Sequence, residues 1–217
     1  MGDDLPPLLA VERFDRVVMP DAPTVCGLPL LYRCHQEDLC QAGGIPSYLK
    51  YEPTDSRYLS LGARILSRAS TNPFGDSRFF FESVLFDFVI GNCDNHLKNL
   101  SVLYSADWSS LELAPAYDLV CTTWFPDLSR EMGMLLGDEG DIDFVRPTHL
   151  AEFAKQVGLP LRRLRIICSE LARGFCGAVA ATTRAGVPSL DELAWKAEGL
   201  LEDAEPRRRV LEETAAL

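Results

Sequence analysis

The chain has 217 residues, 47% of them hydrophobic and 24% charged, with a formal net charge of −11 and an isoelectric point of about 4.7. That length buries a sizeable core in one domain or at most two, and the composition is ordinary for a globular protein. The negative balance argues against nonspecific nucleic-acid binding, which needs many Lys and Arg against the phosphate backbone, but it leaves room for a small basic pocket.

Seven cysteines are scattered without a Cys-x-x-Cys pair. The odd number and irregular spacing suggest neither a disulfide framework nor a zinc site, and read as reduced packing residues. The N-terminus is acidic without an apolar signal stretch, and no apolar run reaches membrane-spanning length. The expectation is a cytoplasmic protein with no direct nucleic-acid or membrane contact.

In chain order, Leu8–Val11 reads as a short buried strand leading into Glu12-Arg13-Phe14-Asp15-Arg16. A stretch punctuated by Pro and Gly extends from there to about Pro53 and predicts loop, with a short helix near Gln36–Gln41. The spacing of Leu59 and Leu66 predicts a helix over Tyr58–Ala69. Phe80, Phe81, Val84, Leu85, Phe88 and Val89 then recur at helical steps up to Gly91, with Asp76 or Ser77 as the expected cap. Its wide apolar face predicts a helix in the middle of the core.

Beyond Asn99, two apolar runs, Leu100–Tyr104 and Leu111–Ala114, flank a polar segment and read as a β-hairpin. After Gly137 the pattern is helical: one helix capped by Thr148 and ending near Gly158, a long one over Leu161–Arg184, and a last one opened by a Ser189/Glu192 capping box. The expected fold is mainly α with a small β-hairpin. Gly137–Asp143 is acidic but lacks the pattern of a calcium loop, so it reads as a solvated loop. Arg207-Arg208-Arg209, set among acids, reads as the charged face of the terminal helix.

The chemistry gathers around the hairpin. Asp94 and Asn99 are five positions apart in Asp94-Asn95-His96-Leu97-Lys98-Asn99, the separation at which protein kinases hold a catalytic aspartate and a metal-binding asparagine. One carboxylate then faces an incoming hydroxyl, while the amide oxygen faces magnesium on the nucleotide phosphates. Magnesium favours hard oxygen ligands and usually takes one or two carboxylates, and Asp118, just past the hairpin, stands where a second acid is needed. Lys98 lies between the loop ligands, as a charge for the transferring phosphate or a solvated lysine. His96 reads equally as a phosphate contact or a hydrogen-bonded structural histidine.

Phe86–Asn99 closely resembles the catalytic loop of HipA-type serine/threonine kinases, and Leu113-x-Pro115-x-Tyr117-Asp118 resembles the segment after that loop. Two upstream blocks add to the likeness: Val11–Arg16, and His35–Gln41 with Lys50-Tyr51-Glu52. The likeness covers nearly the whole chain, from about Leu9 to about Leu200. The resemblance implies a protein-kinase-like C-terminal lobe over residues 17–217, preceded by a strand and hinge remnant over residues 1–16. It implies Asp94 as catalytic aspartate, Asn99 and Asp118 as magnesium ligands, and His96, Lys98 and Tyr117 beside ATP. Glu12, Arg13 and Phe14 become a hinge that meets the adenine through its backbone.

Family members pair with a DNA-binding antitoxin of the HipB type and phosphorylate proteins, in some cases aminoacyl-tRNA synthetases. They also carry an N-terminal lobe with a phosphate-gripping loop and a strand lysine. Here no Gly-rich loop occurs and no lysine precedes Lys50. Loss of such groups costs on the order of 3 kcal/mol of transition-state stabilisation. The expectation is weak transfer by this chain alone, with a separate N-lobe chain as a candidate partner. A noncatalytic module that docks an antitoxin or such a lobe is the rival reading.

Overall fold

The computed structural model describes residues 11–19, 21, 23–54, 57–184 and 191–217. The expected strand at Leu8–Val11 and the Ser189/Glu192 capping box lie largely outside them.

Among the described residues, nine short strands and six α-helices succeed one another: β1 (Arg16–Val18), β2 (Thr24–Val25), β3 (Leu28–Pro29), β4 (Leu31–Arg33), β5 (Gln36–Asp38), α1 (Leu39–Ala42), α2 (Tyr58–Ala69), α3 (Pro73–Ile90), β6 (Ser101–Tyr104), β7 (Leu111–Leu113), β8 (Glu131–Leu136), β9 (Glu139–Asp141), α4 (Pro147–Val157), α5 (Leu161–Arg184) and α6 (Asp191–Ala216). The strands form small antiparallel sheets, β1–β4, β2–β3, β5–β6–β7 and β8–β9. The mainly helical expectation holds, but a single hairpin undercounts the strands. The predicted β6–β7 hairpin exists, with Val102 opposite Leu113, and β5 adds to its other edge with Glu37 opposite Val102.

The helix α3 is the centre. Phe80, Leu85, Phe88 and Val89 are essentially inaccessible, and full burial of side chains of this size contributes roughly 1.5–3 kcal/mol each. The helix begins earlier than the apolar pattern suggested: Asn72 is the cap, accepting from the Gly75 amide at 3.2 Å, with Pro73 in the first turn. Asp76 is instead buried, where it accepts from Ser70 Oγ at 2.6 Å and the Leu113 amide at 2.8 Å. It therefore ties the hairpin to the start of the central helix.

The end of α3 is fixed just as firmly. Gly91 takes a left-handed φ of 79°, and a Cβ there would meet Thr123 Oγ1 at 2.0 Å and Arg207 Nη2 at 2.7 Å. Only glycine fits both the conformation and the space. Arg207 is 3% exposed, donates to the Val89 carbonyl at 3.2 Å and pairs with Asp203. That corrects part of the surface reading: Arg208 and Arg209 do pair with Glu205 on the helix face, but Arg207 points inward and closes the C-terminus of α3.

Two further differences are local. Residues 36–38 form β5 rather than helix, and α1 starts behind Asp38, which caps it reciprocally with Gln41. Arg146, not Thr148, is the residue preceding α4, whose first turn holds Pro147, and the helix ends at left-handed Gly158 as expected. The acidic segment after Gly137 is the turn and strand β9 of the β8–β9 pair, with Gly137 at φ 70°.

Candidate active site

Residues 92–100 leave the rigid end of α3 and return as β6, with a 3-10 turn over Leu97–Asn99. Leu97 is fully buried, and Asn92, Cys93, Asn95 and His96 are buried too, so the loop is anchored from beneath. The Cys93 amide donates to Thr122 Oγ1 at 2.8 Å, and Thr122 Oγ1 donates to the Gly91 carbonyl at 3.0 Å. The strand β8 closes one side: the Gly133 amide donates to the Cys93 carbonyl at 2.7 Å. A Cβ on Gly133 would meet the Asn95 carbonyl oxygen at 2.5 Å, so glycine there allows the close approach.

Asp94 and Asn99 are joined directly. Asn99 Nδ2 donates to the Asp94 carbonyl at 3.1 Å, which folds the loop on itself and leaves the Asn99 amide oxygen to accept elsewhere. The Asp94 carboxylate is half-exposed. Tyr51 Oη donates to Asp94 Oδ1 at 2.8 Å, and Lys50 Nζ stands 3.9 Å from the same oxygen. Lys50 also lies over the Tyr51 ring, 4.5 Å from its centre. Contact with Tyr51 first, then the Asp94 and Asp118 carboxylates, raise the pKa of Lys50. In the sequence, Lys50 and Tyr51 stand out only as part of a matching block, with no signal of what they touch.

His96 is held by that same lysine. Its Nε2 lies 2.9 Å from Lys50 Nζ. An ammonium only donates, so Nε2 accepts and the ring is neutral with its proton on Nδ1. Burial, and then the Lys50 charge, lower the imidazole pKa, in agreement with a neutral ring. Nδ1 is buried without a partner among the described residues. The ring thus braces Lys50 beside Asp94.

Across the loop, Tyr117 packs on Phe14, ring centres 6.2 Å apart and planes at 25°. Its hydroxyl donates to the Lys98 carbonyl at 2.8 Å and shares a hydrogen bond with Ser101 Oγ. Burial raises its pKa. Phe14 therefore comes against the loop through Tyr117. Arg13 does not: it makes two bonds to Asp15, at 2.8 and 2.7 Å. Asp15, only 2% exposed, also pairs with Arg16 and stands 3.8 Å from Arg33. The hydrogen bonds from Arg13 above all hold its pKa down at about 2. Glu12 is exposed, and the Lys98 ammonium makes no ion pair among the described residues.

Asp118 is exposed and has a left-handed φ of 58°, uncommon for a residue with a side chain, though Asp tolerates it better than most. Asn92 Nδ2 donates to the Asp118 carbonyl at 3.3 Å and to Asp87 Oδ1 at 2.8 Å. Asp87 is 4% exposed, and burial pushes its pKa up to about 7, helped by the Asp118 charge. Sequence reasoning missed Asp87 and Asn92 because Asp87 sits inside an apolar helical pattern that gives no sign of a polar partner.

The donor set suits magnesium: one amide oxygen and one carboxylate without an ion pair among the described residues, both hard ligands. No group of three or more His, Cys, Asp or Glu that could hold a metal occurs among the described residues.

Residues 2–179 match the family described as HipA-like C-terminal domain. A putative kinase of Sinorhizobium fredii is 38% identical over 162 residues, which cover 74% of this chain and 36% of that protein. The serine/threonine-protein kinase toxin HipA of Shewanella oneidensis is 32% identical over 194 residues, covering 85% of this chain and 43% of that one. The chain thus spans less than half the length of these relatives. The fold matches a solved complex of Shewanella oneidensis HipA with HipB and operator DNA, at a TM-score of 0.71 and 24% identity, over 95% of this chain and 50% of that one.

Proposed function

Because the chain belongs to the HipA-like C-terminal domain family, we propose that it is the metal-and-base lobe of an ATP- and Mg²⁺-dependent serine/threonine protein kinase. The observation that supports this reading best is the Asn99–Asp94 hydrogen bond. It sets a carboxylate and an amide oxygen on one loop, fixed to the end of a buried helix, as positioning for phosphoryl transfer requires.

In this reading Asp94 receives the acceptor hydroxyl and orients it or takes its proton. Asn99 and Asp118 hold the magnesium ion, which neutralises charge on the nucleotide phosphates. Lys98, without an ion pair among the described residues, places positive charge toward the transferred group, and His96 keeps Lys50 beside Asp94. Phe14 and Tyr117 form the side of the site that meets the base, with Glu12 and Arg13 contributing backbone. An N-terminal lobe, in the same polypeptide or supplied separately, completes the phosphate clamp. A HipB-like antitoxin and a protein acceptor such as an aminoacyl-tRNA synthetase belong to the same proposal, as does a reducing, intracellular setting.

The test is calorimetric titration with magnesium and a non-hydrolysable ATP analogue, with and without an added N-lobe, and then a transfer assay on the combined sample. Binding that requires magnesium, and transfer abolished by Asp94→Ala with the fold intact, are the expected results. No magnesium-dependent binding in either sample, or wild-type transfer by the variant, rejects the assignment.

A further inference from the structure

A well-defined cavity lies away from the loop. It is an open groove of about 830 Å³ along the first half of α3, walled by α2 on one side and by the α4–α5 turn on the other. At 18 residues α3 is about 27 Å long. The groove and the Asp94 loop thus lie toward opposite ends of the same helix.

The lining has two parts. The floor is apolar, with Ala63, Phe81 and Ile167, and Phe74 and Ile166 stand at its edges, 75% and 39% exposed. A phenylalanine that open to water loses most of the benefit of burial, and a contiguous apolar patch of this kind marks a contact surface. The rim is basic: Arg64, Arg78, Lys155 and Arg163 face a single lining carboxylate, Glu170. In a chain with 32 acidic and 21 basic residues, that is a local reversal of sign. Arg78 is paired with Glu82 at 2.6 Å and Lys155 with Glu152 at 3.2 Å. Arg64 and Arg163 are exposed and make no ion pair among the described residues.

We infer that this groove docks an acidic amphipathic helix from a partner protein. The partner's apolar side chains would fill the floor beside Phe74 and Ile166, and its carboxylates would meet Arg64 and Arg163. Helix-in-groove recognition needs a hydrophobic trough of this kind. Complementary charge at the rim selects the partner and speeds encounter more than it adds affinity. The inference is independent of phosphotransfer, since no groove residue belongs to the loop.

Two labelled probe peptides test it, with the same Leu/Trp apolar face at helical spacing and either Glu or Lys at the polar positions. Fluorescence anisotropy on the full chain should show saturable binding of the Glu peptide and at least tenfold weaker binding of the Lys peptide. Arg64→Glu/Arg163→Glu should weaken the Glu peptide at least tenfold and strengthen the Lys peptide. Phe74→Ala should weaken both. These are exposed positions, and circular dichroism would verify that the variants keep their helix content. Equal affinity for the two peptides, or indifference to the substitutions, overturns the inference. So does a concentration-dependent dimer in sedimentation that Phe74→Ala abolishes, because a second copy would then be the occupant.

Discussion

Tyr51 Oη donates to Asp94 Oδ1 at 2.8 Å although the two residues are 43 positions apart in the chain, and the phenol thereby takes part of the accepting capacity of the carboxylate that an acceptor hydroxyl would use. In a catalytic site the tyrosine and the acceptor hydroxyl would compete for that carboxylate. Tyr51→Phe keeps the ring over which Lys50 lies and removes only the competing donor. On the kinase reading, the variant in a complete enzyme shows a two- to tenfold lower KM for the protein acceptor, unchanged kcat and unchanged nucleotide affinity. A tenfold or greater fall in kcat would instead make the hydroxyl part of the chemistry.

Asp118 combines an exposed carboxylate with a left-handed backbone. Asn adopts that conformation about as readily as Asp, so Asp118→Asn isolates the charge. Thermal unfolding without ligand should shift by less than about 0.5 kcal/mol, the ordinary range for an exposed substitution. Magnesium-dependent nucleotide binding should weaken at least tenfold, whereas Asp118→Val should also destabilise the turn. Undiminished binding by Asp118→Asn would remove the residue from the metal site.

Asp87 predicts a pH dependence of stability. Its pKa of about 7 in the folded protein lies above the ordinary carboxyl value near 4. Between those values the folded state holds a proton that the unfolded state releases. Its stabilising contribution is therefore complete below about pH 4 and is lost as pH rises through about 7. Three units correspond to roughly 4 kcal/mol at most. Asp87→Asn removes this slope and still offers an acceptor to Asn92. Urea denaturation from pH 4 to pH 8 should show the variant gaining on the wild type by a few kcal/mol as pH rises. Parallel curves would show that Asp87 is ionised throughout.

The ion pair between buried Arg207 and partly exposed Asp203 predicts a stability effect at the far end of the chain. Removing one member of a buried pair leaves an uncompensated charge and costs about 3–5 kcal/mol. Arg207→Met should cost an amount in that range in chemical denaturation, because Asp203 and the Val89 carbonyl both lose a donor. Asp203→Asn/Arg207→Met should recover part of the loss. A single variant within 1 kcal/mol of wild type would mean that the pair contributes little.

What the sequence determined is what short-range periodicity and spacing encode. The apolar steps from Phe80 to Val89 specify a buried helix, Gly91 and Gly158 specify where helices stop, and the runs around residues 105–110 specify a hairpin. The five-residue separation of Asp94 and Asn99 fixes their relation too, because both lie on one tight loop whose reach is set by backbone geometry.

Tertiary structure decided the rest. Nothing in the local pattern brings Lys50 and Tyr51 to Asp94, buries Arg207 against the end of α3, or places Asp87 behind Asn92 and Asp118. Each of those contacts depends on which faces pack together and how much water the packing excludes, and the same side chains on an isolated segment would be solvated and interchangeable with any neighbour of like polarity. The three residues of β9 are too few to show an alternation, and the six of β8, EMGMLL, do not alternate apolar with polar. They form by pairing with each other, and β8 is held further by bonds to Cys93 and Glu52.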